Sequence, residues 1–333
     1  DLIAGRKEIG FWTGEVYING RPRSPFFRRD SAYVLQDDIH IPVLTVRETL
    51  DYAARFRMNE GTTKQQRDAR VNMVVDMLGL DVCIDSVVGD AMNKGISGGQ
   101  LKRLSIGVEI MHLPNLIFLD EPTSGLDSAI AHEVMAAVQN LAAQNRTIVS
   151  TIHQPSPEVF GLFDKLVLLA AGKLLYAGAA DEAIAYFCQP SIGYEFDPDQ
   201  NPADFIIDVG GGVVCPRDHD TPRTPDELSS AFEKSSYFRN VAERLNMGPQ
   251  PAVYERKHAT FPSTQIKNLM ERSWTTAIRQ KADLKANLIK NAVVGILISI
   301  VFYNEGEVEG DDDICPPTDD TLSSSPLYNC YGQ

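Results

Sequence analysis

These 333 residues contain no Gly-x-x-x-x-Gly-Lys-Ser/Thr loop. A nest of backbone N–H groups with a lysine for the β- and γ-phosphates therefore cannot form from this stretch. Basic charge is scarce: 31 Lys and Arg stand against 45 Asp and Glu, a formal net charge of −14. A nucleic-acid binder needs a basic face, so that class is excluded. Cys83, Cys188 and Cys215 have no metal-ligand spacing and read as ordinary thiols, and Cys215 with His219 is too loose a pair for a metal. No signal peptide opens the chain.

The negative charge is unevenly spread. Residues 305–333 hold eight acids and no Lys or Arg, leaving −6 for everything before them. Residues 256–290 hold eight Lys and Arg against two acids.

What the chain does have is concentrated between residues 95 and 128. Ser97-Gly98-Gly99-Gln100 is a Gly-rich turn running into a basic helical stretch, Leu101 to Met111. Such a turn lets backbone N–H groups and a hydroxyl approach an anion, helped by the helix dipole. Leu116 to Leu119 is a short apolar run ending in Asp120-Glu121. That pattern puts two carboxylates at the C-terminal edge of a strand, where open α/β sheets bind ligands. Neighbours on a strand point opposite ways, so one acid can hold a hydrated Mg²⁺ and the other can take a proton from water. His153 follows another apolar strand, Thr147 to Thr151, in the same strand-end setting.

This run resembles the nucleotide-binding domain of ABC transporters. Ser97 to Gln100 matches the signature loop, Leu116 to Asp120 the Walker B strand, Glu121 the catalytic carboxylate, Ser124-Gly125-Leu126-Asp127 the D-loop, and His153 the switch histidine. Thr151-Ile152-His153-Gln154-Pro155-Ser156 and Asn201-Pro202-Ala203-Asp204-Phe205 look like the G subfamily, the White-type transporters whose ATPase domain precedes the membrane domain. Gln36, after a strand over Ser31 to Leu35 and before Leu44-Thr45-Val46-Arg47-Glu48-Thr49-Leu50, matches the Q-loop glutamine.

The resemblance reaches to about residue 304 and implies an α/β fold. The implied architecture is an ABC-type ATPase domain, a mixed sheet with flanking helices and a helical subdomain, followed by an interfacial helix and one transmembrane helix. It divides the chain into the ATPase domain (1–208, helical subdomain about 45–111), a linker region (209–262), an amphipathic connecting helix (263–285), a transmembrane helix (286–304) and an acidic non-cytosolic loop (305–333). The implied cofactors are ATP and Mg²⁺, with Gln36 and Asp120 at the metal. Glu121 and His153 are then catalytic, while Ser97, Gly98, Gly99, Gln100 and Asp127 serve nucleotide shared with a second nucleotide-binding domain, in a homo- or heterodimer. The other implied partners are a lipid bilayer and a hydrophobic transport substrate. The implied localisation is that of a multi-pass membrane protein with a cytoplasmic ATPase domain.

The residues support the membrane approach independently. Thr264 to Arg279 places Ile266, Leu269, Met270, Trp274, Ala277 and Ile278 on one face, as an interfacial helix would. The uncharged stretch Asn291–Asn304 is only 14 residues, but allowing Lys290 to snorkel extends the segment to 286–304, about 28 Å of helix. Basic charge before it and acidic charge after it follow the positive-inside rule. Cys315 and Cys330 beyond it either pair in an oxidising compartment or stay free in an acidic linker.

The missing phosphate loop leaves two accounts: a chain that continues upstream of Asp1, or a degenerate relative. It also predicts that this stretch alone hydrolyses no ATP. Two other functions compete with a White-type export ATPase. One is a non-catalytic subunit lending its signature loop to a competent partner. The other is a soluble ABC ATPase, disfavoured by the stretch from Trp274 to Tyr303.

Overall fold

The computed structural model describes residues 2–303 except 8, 25, 91–92, 215–221, 223 and 240–257, and leaves aside the side chains of 21 and 281–284. Cys215, His219, Cys315, Cys330 and the acidic segment 305–333 lie outside the described residues. The chain parts into two compact units between Arg279 and Gln280.

Near the start, β1 (Tyr17–Ile18) pairs antiparallel with β2 (Arg21–Pro22) through a turn at Asn19-Gly20, both with positive φ. A short helix, α1 (Phe27–Asp30), leads into β3 (Ser31–Val34). Helices α2 (Val46–Arg57) and α3 (Lys64–Leu78) follow. Each starts in a capping box, Thr45 with Glu48 and Thr63 with Gln66, in which side chain and backbone exchange hydrogen bonds and satisfy two orphan donors. α3 stops at Gly79, whose φ of 60° closes the helix in the left-handed region. Its buried residues are Val71, Val74, Val75 and Leu78, one helical stripe.

α4 (Gly98–Ile110) lies against both helices. At Gly107 the approach is close: an added Cβ would sit 3.1 to 3.2 Å from Leu50, Leu78 and Val74 side chains. The next strands, β4 (Leu116–Asp120) and β5 (Thr147–Thr151), flank α5 (Ser128–Ala142). They form a parallel sheet in the order β3-β4-β5, with Val34 opposite Leu119 and Asp120 opposite Thr151. Parallel strands need crossovers, and the α2–α4 group and α5 supply them. One apolar core joins the buried sheet residues Ala32, Val34, Ile117 and Leu119 to α2, α3, α4 and α5.

After the short α6 (Pro157–Phe160), a hairpin of β6 (Lys165–Ala170) and β7 (Lys173–Ala179) packs with α7 (Ala183–Phe187), α8 (Pro202–Gly211) and α9 (Pro225–Glu233). Their core is aromatic, built from Tyr176, Tyr186, Phe187, Phe205 and Phe232. Among the described residues β5 pairs only with β4 and β6 only with β7.

The connecting helix, Pro262–Arg279, lies along α2 by its polar side. Arg279 donates both Nη groups to the Glu48 carboxylate at 2.6 Å, and Arg55 Nη1 donates to Glu271 Oε1 at 2.8 Å. Glu60 accepts from the Phe261 N–H and the Thr264 hydroxyl. The apolar face with Ile266, Met270, Trp274 and Ile278 is left exposed. The amphipathic pattern is thus turned outward, and polar bonds rather than apolar burial hold the helix down.

The second unit contains the helix Lys281–Val301. Among the described residues no helix is long and apolar enough to cross a membrane, so the structure does not establish the transmembrane helix expected over 286–304. The reason is visible in the sequence of the helix: Lys285, Asn287, Lys290 and Asn291 leave Ala292–Val301 as its apolar run. Ten residues of helix span about 15 Å, half the hydrocarbon thickness of a bilayer. Its large side chains, Ile296 and Ile300 among them, are exposed.

Arg279 holds the Glu48 carboxyl below the usual carboxylate range. The stability this contributes is present above the unfolded pKa and is lost as pH falls through the folded value. Glu48→Gln is expected to quicken amide exchange across Pro262–Arg279 and to cost roughly 1 kcal/mol, because the pair is partly exposed and the cap is weakened with it. Unchanged exchange in that helix would show that its other polar contacts suffice.

Candidate functional site

The C-terminal edge of the parallel sheet gathers the chain's chemistry. β4 has a buried apolar middle, Ile117 to Leu119, so its polar end must emerge at the rim. There Asp120 is fixed from both sides. Its Oδ2 accepts from the Tyr33 hydroxyl at 2.8 Å, and its Oδ1 accepts from Thr151 Oγ1 at 2.9 Å. The Glu121 backbone N–H donates to the same Thr151 hydroxyl at 3.0 Å. Burial first, and then the bond to Asp120, push the Tyr33 phenol up to about 12, so it remains a donor at neutral pH. The Arg6 guanidinium stands 4.7 Å from the Tyr33 ring centre.

Glu121 leaves the strand with φ of 44°, in the left-handed region that a residue with a side chain rarely adopts. The bend sends its carboxylate away from Asp120's partners and toward Gln36, whose Nε2 donates to Glu121 Oε2 at 2.9 Å. Gln36 stands two residues past Val34, and Glu121 two past Leu119, its partner in register. The two strands therefore deliver both side chains to one place.

Gln36 itself is held by its backbone. Lys102, from the first turns of α4, is 2% exposed, and its Nζ donates to the Gln36 carbonyl at 2.8 Å while lying 3.0 Å from Asp38 Oδ1. Two residues past Asp38, and one helical turn past Lys102, His40 Nε2 and Ser105 Oγ are 2.7 Å apart, a second tie to α4.

α4 begins at Ser97, its N-cap. Ser97 Oγ accepts from the Gln100 N–H, and Gln100 Oε1 accepts from the Ser97 N–H at 2.9 Å. The Ser97 and Gly98 positions are exposed, whereas Gly99 is buried. A Cβ on Gly99 would fall 2.3 Å from Ile130 Cγ2 on α5, so that glycine is needed for helix packing. Asp127 caps α5, accepting from the Ile130 N–H at 2.9 Å, at the end of a tight turn through Ser124 and Gly125. His153 is exposed past the end of β5 and makes no hydrogen bond or ion pair among the described residues. It lies at the same sheet edge as Glu121, because Asp120 and Thr151 are partners.

The structure thus joins Gln36, Asp120 and Glu121 directly and sets His153 on the same rim. Ser97 to Gln100 and Asp127 stand at the starts of two packed helices. Sequence reasoning missed Tyr33, Thr151 and Lys102. For the first two the signal was alternation: Tyr33 sits opposite Phe118, two residues before Asp120 on the same face. Lys102 gave no such signal, since a lysine in a basic helical run reads as solvated.

No group of three or more His, Cys, Asp or Glu able to hold a metal occurs among the described residues. Mg²⁺ is typically held by one or two carboxylates with substrate phosphates completing its shell. Asp120, with the Gln36 amide oxygen, is a suitable protein share of such a shell.

Residues 2–124 match the ABC transporter family, and residues 153–294 match the ABC-2 type transporter family. The chain is 37% identical over 331 residues to the broad substrate specificity ATP-binding cassette transporter ABCG2 of Sus scrofa, covering 91% of this chain and 50% of that protein. It is 38% identical over 274 residues to ABC transporter G family member 14 of Arabidopsis thaliana, covering 82% of this chain and 42% of that protein. It is 33% identical over 311 residues to ABC transporter G family member 3 of Dictyostelium discoideum, at 91% and 22%. The chain spans about half the length, or less, of these relatives.

Lys102→Met keeps the stem but removes the charge, stranding Asp38 in a half-closed site and the Gln36 carbonyl without its donor. Equilibrium denaturation is expected to show a loss of about 3 kcal/mol, the cost of breaking a buried pair on one side. The double change Lys102→Met with Asp38→Leu is expected to recover most of it. An equal loss in both variants would mean that the ion pair is not what holds the loop.

Proposed function

The chain belongs to the G subfamily of ABC transporters, and from that premise we propose that it supplies two half-sites for ATP in a dimeric exporter of hydrophobic substrates. The observation that supports this best is the rim where Gln36 is bonded to Glu121 while Asp120 is held separately by Tyr33 and Thr151. Two neighbouring acids with different partners can do different work.

Bound ATP with Mg²⁺ supplies the phosphoryl group and most of the charge neutralisation that its transfer needs. In this reading Asp120 and the Gln36 amide oxygen take the metal. Glu121 orients a water and accepts its proton, released from Gln36 as that amide turns. His153, free to move at the rim, approaches the terminal phosphate. The Ser97 hydroxyl and the exposed Gly98 N–H, at the positive end of α4, serve the nucleotide of the partner domain. Gly99 and Gln100 act on it indirectly, through packing and the cap. Asp127 sits at the same seam. Because these 333 residues hold no phosphate loop, the stretch alone turns over no ATP.

The second reading, a subunit that only lends its signature loop, is favoured by that same lack. The two separate in an assembly of the full-length protein, rather than of this stretch, with an ATPase-competent relative. Under the first reading, Glu121→Gln and Ser97→Arg each lower turnover, by about a hundredfold at the site affected. Loss with Ser97→Arg alone would favour the lending subunit. Loss with neither would overturn both.

We also place the apolar run Ala292–Val301 in bilayer hydrocarbon, with Lys285 and Lys290 at the cytoplasmic interface. Ile296→Asp is then expected to shift the chain from the membrane to the soluble fraction after carbonate extraction. Retention equal to the unchanged chain would put that helix in a protein interface instead.

A further inference from the structure

One hydroxyl is bonded to both acidic residues of the sheet edge. Thr151 closes β5, and its register partner on β4 is Asp120. The Thr151 hydroxyl donates to Asp120 Oδ1 at 2.9 Å, and the same oxygen accepts the Glu121 N–H at 3.0 Å. A hydroxyl offers one proton and two lone pairs, so the proton and one lone pair are committed here. Branching at Cβ restricts χ1, which holds that hydroxyl in place before anything binds.

Each bond has its own consequence. Asp120 receives one donor on each oxygen, Thr151 on Oδ1 and the Tyr33 hydroxyl on Oδ2 at 2.8 Å, so its carboxylate cannot turn without losing one of them. Bonds of this kind to a carboxylate are roughly twice as strong as neutral ones, and each oxygen keeps a lone pair for a cation. Glu121 is a different case. It leaves the strand at φ of 44°, a conformation that is strained for a residue with a side chain and persists only where the surroundings impose it. The Thr151 hydroxyl holds the N–H side of that bend, and the Ser124 N–H holds the carbonyl side at 3.0 Å. The bend is what sends the Glu121 carboxylate to Gln36 Nε2. Two residues after Thr151, the same strand end delivers His153.

We propose that Thr151 is a positioning residue for both acids. Through one bridging hydroxyl it sets the orientation of the Asp120 carboxylate and the backbone bend that aims Glu121, and it ties both to the strand end that carries His153. This rests on the ATP half-site reading above. Thr151 acts only through Asp120 and Glu121, so its loss changes how the two acids are placed and not how tightly nucleotide is held. Tyr33 shares half of the task. It touches Asp120 alone, so losing it frees that carboxylate without releasing the bend at Glu121.

The test has two readouts, one of them without nucleotide. Thr151→Val keeps the branched shape and removes the hydroxyl, whereas Thr151→Ser keeps the hydroxyl. In the nucleotide-free full-length protein, hydrogen exchange at the Glu121 amide is expected to quicken about tenfold in Thr151→Val and to stay unchanged in Thr151→Ser and Tyr33→Phe. In the assembly with an ATPase-competent relative, Thr151→Val is expected to lower kcat about tenfold at the site affected, with KM for ATP unchanged. It should also raise the Mg²⁺ concentration for half-maximal turnover. Tyr33→Phe should raise that concentration too, and Thr151→Ser should restore both values. Unquickened exchange at Glu121, an unchanged kcat in Thr151→Val, or a Thr151→Ser variant as impaired as Thr151→Val would overturn the proposal. Glu121→Gln in the same assembly separates the two failures. Turnover lost there but kept in Thr151→Val sinks only the role of Thr151, whereas turnover kept in both overturns the half-site reading with it.

Discussion

One buried ammonium group governs the geometry of this chain's chemistry. Lys102 is almost wholly out of solvent, and among the described residues its charge is met by Asp38 and the carbonyl of Gln36. Taking a charge out of water costs several kcal/mol unless a partner is held at close range. The loop after β3 is thereby obliged to stay against α4, and Gln36 is obliged to stay over the end of β4. The same α4 starts with the exposed Ser97-Gly98 turn. A displacement of that helix therefore moves both the signature turn and the glutamine that touches Glu121. The Ser97–Gly98 turn and the Gln36–Glu121 contact are tied through one ion pair.

A second tie runs on the other side of α4. Gly99 lets Ile130 of α5 come within van der Waals reach, and α5 is capped by Asp127 at the end of the turn that begins at Glu121. The carboxylate corner and the signature turn are thus parts of one packed body, contacting it through β4, α5 and α4. The resemblance in the sequence implies a nucleotide contact for Gly99 and Gln100. Sterics and the capping box assign them a prior task inside the chain, which any nucleotide contact must build upon.

Much of this was readable in the residues beforehand, where local pattern decided the outcome. The α3 stripe Val71, Val74, Val75 and Leu78 is the buried stripe in the structure, and the strand before Asp120 ends where its apolar run ends. Capping pairs such as Thr45 with Glu48 follow from a spacing of three. What could not be read is long-range pairing. Tyr33 and Asp120 are 87 positions apart, and Lys102 and Gln36 are 66 apart, so no local period connects them. The expected membrane span is not decided by pattern either: two lysines and two asparagines leave the described helix an apolar run of about half a bilayer.

The connecting helix shows why an amphipathic pattern does not by itself say which face is buried. Periodicity put Ile266, Met270, Trp274 and Ile278 on one side, and burial would ordinarily turn that side inward. Here the polar side meets α2, because α2 presents Glu48, Arg55 and, at its end, Glu60, and charge complementarity with Arg279, Glu271 and Thr264 selects the orientation. Such bonds are individually modest in water, yet turning the helix over would leave those groups unpaired against an apolar face. The exposed stripe is then the part free to meet apolar surroundings. It ends at Arg279, immediately before the apolar helix begins at Lys281. Along the sequence, the change from polar attachment to apolar exposure therefore falls at the boundary between the two units.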